Sequence, residues 1–214
     1  MDRNEEIVDS LLEWHRRNRR NFPWRETRDP YKVLVAEFFL QRTPADRVAA
    51  FLPEFLAKFP SPQELAVASL SHLEELGRKL GLKKRMQWLL DSMRVLNQKY
   101  FGSIPDDKRE LMALPGVGEY TASAVLCFGF GRETPIVDTN VIRVLTRVFG
   151  LFEANRRGSS AVKNIALKLL PKGQAVEYNE ALLDFAAIVC KKSPLCEACP
   201  IARWCSYLEG KGSA

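Results

Sequence analysis

Apolar residues recur at three-to-four spacing in nearly every segment longer than eight residues, and no stretch alternates cleanly with period two. The pattern predicts an all-α chain. Longer helices are expected over about 3–19, 30–42, 44–59, 83–100, 105–113, 118–130, 139–149, 159–169 and 177–189. Ser61-Pro62-Gln63-Glu64 and Ser71-His72-Leu73-Glu74 each set a Ser three residues ahead of a Glu, the spacing that satisfies orphan amides at a helix start, so two short helices are predicted to begin near 62 and 72. Loops fall at "GRETP", "FEANRRGSS" and "PKGQAVEY", and the tail "GKGSA" is expected to fray. No internal repeat is visible, which argues against a solenoid.

Composition adds a frame. With 214 residues, 46% hydrophobic and 27% charged, the chain has the balance of an ordinary soluble protein of one or two lobes. Its longest charge-free stretches, such as "ASAVLCFGFG", are about half the roughly 20 residues that cross a bilayer, so no membrane segment is expected. The charged N-terminus lacks the apolar block of a secretory signal, which predicts a cytoplasmic protein. Lys plus Arg exceed Asp plus Glu by 32 − 26 = 6, and the excess clumps in "RRNRRNFPWR" and "GRKLGLKKR". Such clumps suit a polyanion or form solvated helix ends, and charge alone does not choose.

Three groups of residues carry candidate chemistry. "LPGVGEYTA" breaks two helical segments with a tight turn in which Gly116 and Gly118 can bring backbone N–H groups close to an anion, although a plain helical hairpin would use glycines there too. Cys190, Cys196, Cys199 and Cys205 lie in "CKKSPLCEACPIARWC" and can wrap one metal centre; a reducing compartment argues against disulfides. Only one pair has the C-x2-C spacing typical of zinc sites, which favours a [4Fe–4S] cluster, with zinc as the alternative. Cys127 reads as core filler. Two carboxylates complete the set. Glu37 is the only acid in an otherwise apolar stretch, a setting that suits proton transfer, whereas Asp138 sits at a helix start where capping alone would explain it.

Together, "PYKVLVAEFFLQRT", "LPGVGEYTA", "VDTNVIRVL" and the cysteine loop resemble the helix-hairpin-helix DNA glycosylases of the endonuclease III and MutY superfamily, over nearly the whole chain. The resemblance implies two helical lobes, a six-helix barrel with the hairpin at 28–134 and a discontinuous lobe of 1–27 and 135–214 carrying the [4Fe–4S] loop at 190–205. It implies a monomer that binds double-stranded DNA holding a mismatched or damaged base at the nucleoid, bends it and flips that base into a cleft between lobes. Endonuclease III-like members carry a Lys just past the hairpin. Tyr120 stands there instead, and no Lys occurs between Lys108 and Lys163, so a glycosylase without strand cleavage is expected. Adenine glycosylases usually carry Ser there and have a further C-terminal domain, whereas this chain stops nine residues after Cys205. The Tyr, the "VD-x-N" segment and "CSY" look closer to the thymine-DNA glycosylases that act on T or U opposite G. By the same resemblance Asp138 stabilises the sugar cation or orients water, Tyr120 contacts the flipped nucleotide, and Glu37 donates a proton or hydrogen bond to the base. Gln41 and Leu82 match positions where relatives insert a wedge, while Arg42, Lys83, Lys84 and Arg85 join Gly116 and Gly118 at the DNA. Relatives commonly have six residues between the first two cysteines; "KKSPL" gives five.

Overall fold

The computed structural model describes residues 2–152 and 160–210. The central part of "FEANRRGSS" and most of "GKGSA" lie outside the described residues. Helices are α1 (Arg3–Asn18), α2 (Pro30–Leu40), α3 (Ala45–Lys58), α4 (Pro62–Ala66), α5 (Leu70–Gly77), α6 (Lys83–Tyr100), α7 (Lys108–Met112), α8 (Glu119–Ala124), α9 (Thr139–Phe149), α10 (Ser160–Lys168), α11 (Ala175–Ile188) and α12 (Ser206–Glu209). No strand occurs among the described residues.

Local chemistry sets several helix starts. Asp29, Ser61, Asp107 and Asp138 each accept a backbone N–H from the first turn that follows, and Pro30 and Pro62 open their helices with a preset φ. Two expectations shift. α5 is capped by Ser69, whose hydroxyl accepts the His72 amide, so the cap falls two residues before the predicted Ser71. The segment predicted as one helix over 118–130 is α8 followed by a π-helical turn, Val125–Gly129, in which Cys127 is fully buried.

The chain divides into two compact units, Met1–Arg20 with Glu133–Ala214, and Asn21–Arg132. The junctions thus fall at 20/21 and 132/133, where the sequence suggested 27/28 and 134/135. In the second unit α4 and α5 pack on α6, while α2 packs on α3, α6, α8 and the π turn. Phe39, Phe51, Phe55 and Phe59 form a run of ring contacts at 4.9–5.7 Å.

In the first unit α1 and α9 pack on α11, burying Ile7, Leu11, Val144, Leu145, Tyr178 and Phe185 in one core that also contains Cys190, Ile201 and Cys205. The basic clump after α1 has a structural use here. Arg19 pairs with Glu180 at 3.1 Å, and the buried Asp184 pairs with Arg20, with Nε2 of the buried His15 3.3 Å from its other oxygen. An anion as deeply buried as Asp184 requires such partners. Arg19 and Arg20 are therefore tied to buried acids, a use that neither the polyanion nor the solvated-end reading foresaw.

Candidate functional site

The hairpin is α7, the turn 113–118 and α8. Gly116 has φ 76°, and a Cβ built on it would lie 2.9 Å from both Phe38 and Trp88, so backbone angle and packing together demand glycine. Ser92 donates to the Pro115 carbonyl at 2.7 Å, and Val117 N closes the turn on Leu114 O at 3.1 Å. Gly118 differs from what the sequence suggested. Its φ of −95° is open to any residue and nothing lies within 4 Å of its missing Cβ. The fold does not require glycine at 118, and the bare backbone there faces open space at the start of α8. Tyr120 follows in the first turn of α8 and is half-buried; Lys108 and Glu119 pair across the hairpin at 3.2 Å.

Glu37 lies buried in α2, at 3% exposure, in the same unit as the hairpin. The chain leaving α2 is held tightly. Gln41 donates through Nε2 to the Gly116 carbonyl at 3.3 Å, which ties the end of α2 to the hairpin turn. Arg85, from α6, donates to the carbonyls of Phe39 and Gln41 and to the Thr43 hydroxyl. It therefore satisfies orphan carbonyls at the end of α2 rather than projecting toward a phosphate, as the sequence suggested. Partial burial and the neighbouring Arg42 charge lower its pKa. Arg42 itself is exposed with φ 61°, in the left-handed region that non-glycine residues rarely occupy.

Leu82 is the other correction. Its side chain is fully buried, beside Gly77, where a Cβ would meet the Leu82 Cβ at 3.1 Å. It is an interhelical core residue in this structure, not a surface wedge. Lys83 is exposed and lies 3.7 Å from Glu74, and Lys84 lies over the Trp88 ring at 4.9 Å.

Asp138 belongs to the unit that holds the cysteines. It is half-buried and caps α9, where Oδ1 accepts the amides of Asn140 and Val141 at 2.9 and 2.7 Å, and Oδ2 accepts Asn140 Nδ2 at 2.6 Å. No lysine or arginine pairs with it among the described residues. Asn140 is in turn fixed by Arg143, which donates to its Oδ1 at 2.9 Å and also to the carbonyls of Cys190 and Ala186 at 2.9 and 3.0 Å.

The sequence pattern of the HhH-GPD superfamily of base excision DNA repair proteins matches residues 35–172, which include Glu37, the hairpin and Asp138. The chain belongs to this superfamily. A thymine/uracil-DNA glycosylase of Methanothermobacter thermautotrophicus is 35% identical over 95% of this chain and 93% of its own. An adenine DNA glycosylase of Mycobacterium tuberculosis is 39% identical over 92% of this chain but 66% of its own length. Among solved structures, a thermostable thymine-DNA glycosylase superposes with a TM-score of 0.93 at 34% identity, covering 97% of each chain.

In this HhH-GPD protein the four cysteines of the C-terminal loop line one small apolar cavity, with Arg147, Phe185, Val189 and Tyr207 among its other walls. All four are free thiols. Burial pushes the Cys199 thiol up to about 11, and its three neighbouring sulfurs add to the shift. Gathering four thiolates is thus electrostatically costly without a cationic centre. Among the described residues no three His, Cys, Asp or Glu side chains are arranged to hold a metal ion. Lys191 and Lys192 are exposed on the loop, while Arg203 pairs with Glu6 at 3.2 Å and stacks on Trp204.

Sequence reasoning passed over Asn140, Arg143 and Arg147. Their spacing of three and four along an amphipathic helix was the available signal, because it places them on one polar stripe of α9. No helix among the described residues is long and apolar enough to cross a membrane.

Proposed function

We propose that this chain is a monofunctional DNA glycosylase that hydrolyses the N-glycosidic bond of thymine or uracil mispaired with guanine. The observation that carries the reading is the setting of Asp138, a carboxylate gripped by three N–H donors with no basic side chain paired to it among the described residues. Breaking the bond builds positive charge at C1′ and O4′ of the deoxyribose. An oriented anion without a counterion of its own is suited to stabilise that charge, and then to take a proton from the water that adds at C1′.

The departing pyrimidine carries negative charge spread over N1, O2 and O4. Glu37, buried in α2, supplies the proton or hydrogen bond that relieves it. Tyr120 contacts the flipped nucleotide and, having no amine, forms no imine with C1′, so the reaction ends at the abasic site. The open backbone at Gly118 receives a phosphate, with Arg42, Lys83 and Lys84 adding charge. Gln41 fills the gap left in the stack. The pyrimidine reading draws on the thymine/uracil-DNA glycosylase relative and on Tyr120 where adenine glycosylases usually carry Ser. The enzyme would act on genomic DNA at the nucleoid.

The four cysteines lining one cavity support the reading of a [4Fe–4S] cluster held by Cys190, Cys196, Cys199 and Cys205. Only Cys196 and Cys199 have the C-x2-C spacing typical of zinc sites, which favours the cluster over a single Zn2+. The four thiolates would hold the cluster across the loop, and it would supply a one-electron centre.

The test is base release from duplexes carrying G·T, G·U, A opposite 8-oxoguanine or thymine glycol, read with and without alkali. The proposal expects cleavage of G·T and G·U only after alkali. Release of adenine would favour the adenine-glycosylase reading, and release from none would leave a DNA-binding module.

A further inference from the structure

The first segment of the cysteine loop, "KKSPL", has five residues, and one side chain from α9 pins it. Arg147 donates through one terminal nitrogen to Cys190 Sγ at 3.6 Å and to the Lys191 carbonyl at 2.6 Å, and through the other to the Lys192 carbonyl at 3.0 Å. Its guanidinium lies over the Tyr207 ring at 5.0 Å. Its own carbonyl accepts from Cys205 Sγ at 3.7 Å. One residue thus touches the first and last cysteines of the loop. The far end of the short segment closes through Leu195 N on Val189 O at 3.0 Å.

Two physical consequences follow. Three directed hydrogen bonds to neighbouring positions leave Cys190 and the two residues after it little freedom, which matters more in a loop with fewer residues to absorb distortion. The planar fork suits this better than the point charge of lysine. A cation beside a ligating sulfur also favours the more electron-rich state of whatever that sulfur binds, because hydrogen bonds and charge at the sulfurs set the potential of such centres.

We propose that Arg147 is a positioning residue for the metal centre of the cysteine loop: it fixes Cys190 as a ligand in the shortened segment and places a positive charge on its sulfur, slowing loss of the cluster and raising its reduction potential. This rests on the cluster reading above. The residue touches neither substrate nor reacting atoms, so base release is not the readout.

The experiment compares the full-length parent with Arg147→Lys, Arg147→Met and Tyr207→Leu, all purified without oxygen. Iron and sulfide per chain are measured, then the half-life of the visible cluster absorbance in air, then the one-electron potential by titration followed spectroscopically without DNA. Arg147→Met is expected to lose its cluster several-fold faster and to shift the potential negative. Arg147→Lys keeps a charge but not the fork, so it should lose the cluster faster with a smaller shift. If Arg147→Met does not fold, Arg147→Lys and Tyr207→Leu decide, the latter through a shorter cluster half-life. Half-lives and potentials equal to the parent's would overturn the proposal, and faster loss at an unchanged potential would overturn its electrostatic half. A parent that binds no iron sinks the cluster reading itself.

Discussion

Asn140 holds both oxygens of Asp138, one through its backbone amide at 2.9 Å and the other through its side-chain amide at 2.6 Å. The carboxylate cannot rotate without breaking one of these bonds. Arg143 then fixes the Asn140 side chain from behind and reaches the Cys190 carbonyl. Helix capping and a catalytic role for Asp138 are therefore compatible, since the bonds that cap α9 are those that aim the anion.

Asp138→Asn should lower single-turnover base release by about 10²–10³-fold, the loss that follows removal of one preorganised electrostatic group. Duplex affinity should stay unchanged. Asn140→Leu keeps the carboxylate but frees one oxygen, and a loss of about tenfold or more is expected from misorientation. Wild-type rates in Asp138→Asn would show that the residue is only a cap.

Tyr120→Lys puts an amine where the lyase-competent relatives carry one. The expected gain is strand cleavage without alkali, together with a borohydride-trapped covalent adduct on DNA. Absence of both, in a variant that still releases the base, would place Tyr120 away from C1′.

The two hairpin glycines should part company. Gly116→Ala forces a left-handed backbone and a contact at 2.9 Å with Phe38 and Trp88, so a stability loss of about 1–3 kcal/mol is expected by chemical denaturation. Gly118→Ala meets no protein atom and should leave stability unchanged while weakening duplex binding and flattening its salt dependence. Unchanged affinity in Gly118→Ala would remove the phosphate from this turn.

Tyr31 donates its hydroxyl to the Phe59 carbonyl at 2.7 Å, and burial, reinforced by Asp29 and Glu64, raises its pKa far above the ordinary value. A raised folded pKa means its contribution is complete below about pH 10, where the unfolded tyrosine titrates, and is lost as pH climbs beyond that. Denaturation midpoints should therefore fall on the alkaline side of pH 10. Tyr31→Phe should flatten that fall while costing about 1 kcal/mol at neutral pH, since a buried carbonyl loses its donor.

Helix positions were readable because each is a local matter. The three-to-four spacing of apolar residues and the Asp and Ser caps act within one or two turns, and α6 and α9 occupy the spans that periodicity predicted. The slip at α5 is local as well. Ser69 and Ser71 compete for the same first turn, and Ser69 takes the His72 amide. The π turn after α8 was not legible, because widening one turn depends on what packs against it.

By itself the sequence determined an all-α chain, the cysteine cluster, the break at the hairpin and the candidate carboxylates Glu37 and Asp138. These follow from residue type and near-neighbour spacing. Only the tertiary structure decided which charges and side chains were already spoken for. Arg85 is turned onto the carbonyls that end α2, Leu82 is withdrawn into the core, and Arg19 and Arg20 are met by acids more than 150 residues away in sequence. Burial and long-range pairing leave no periodicity to read, since they arise when distant segments pack and every buried charge must find a partner.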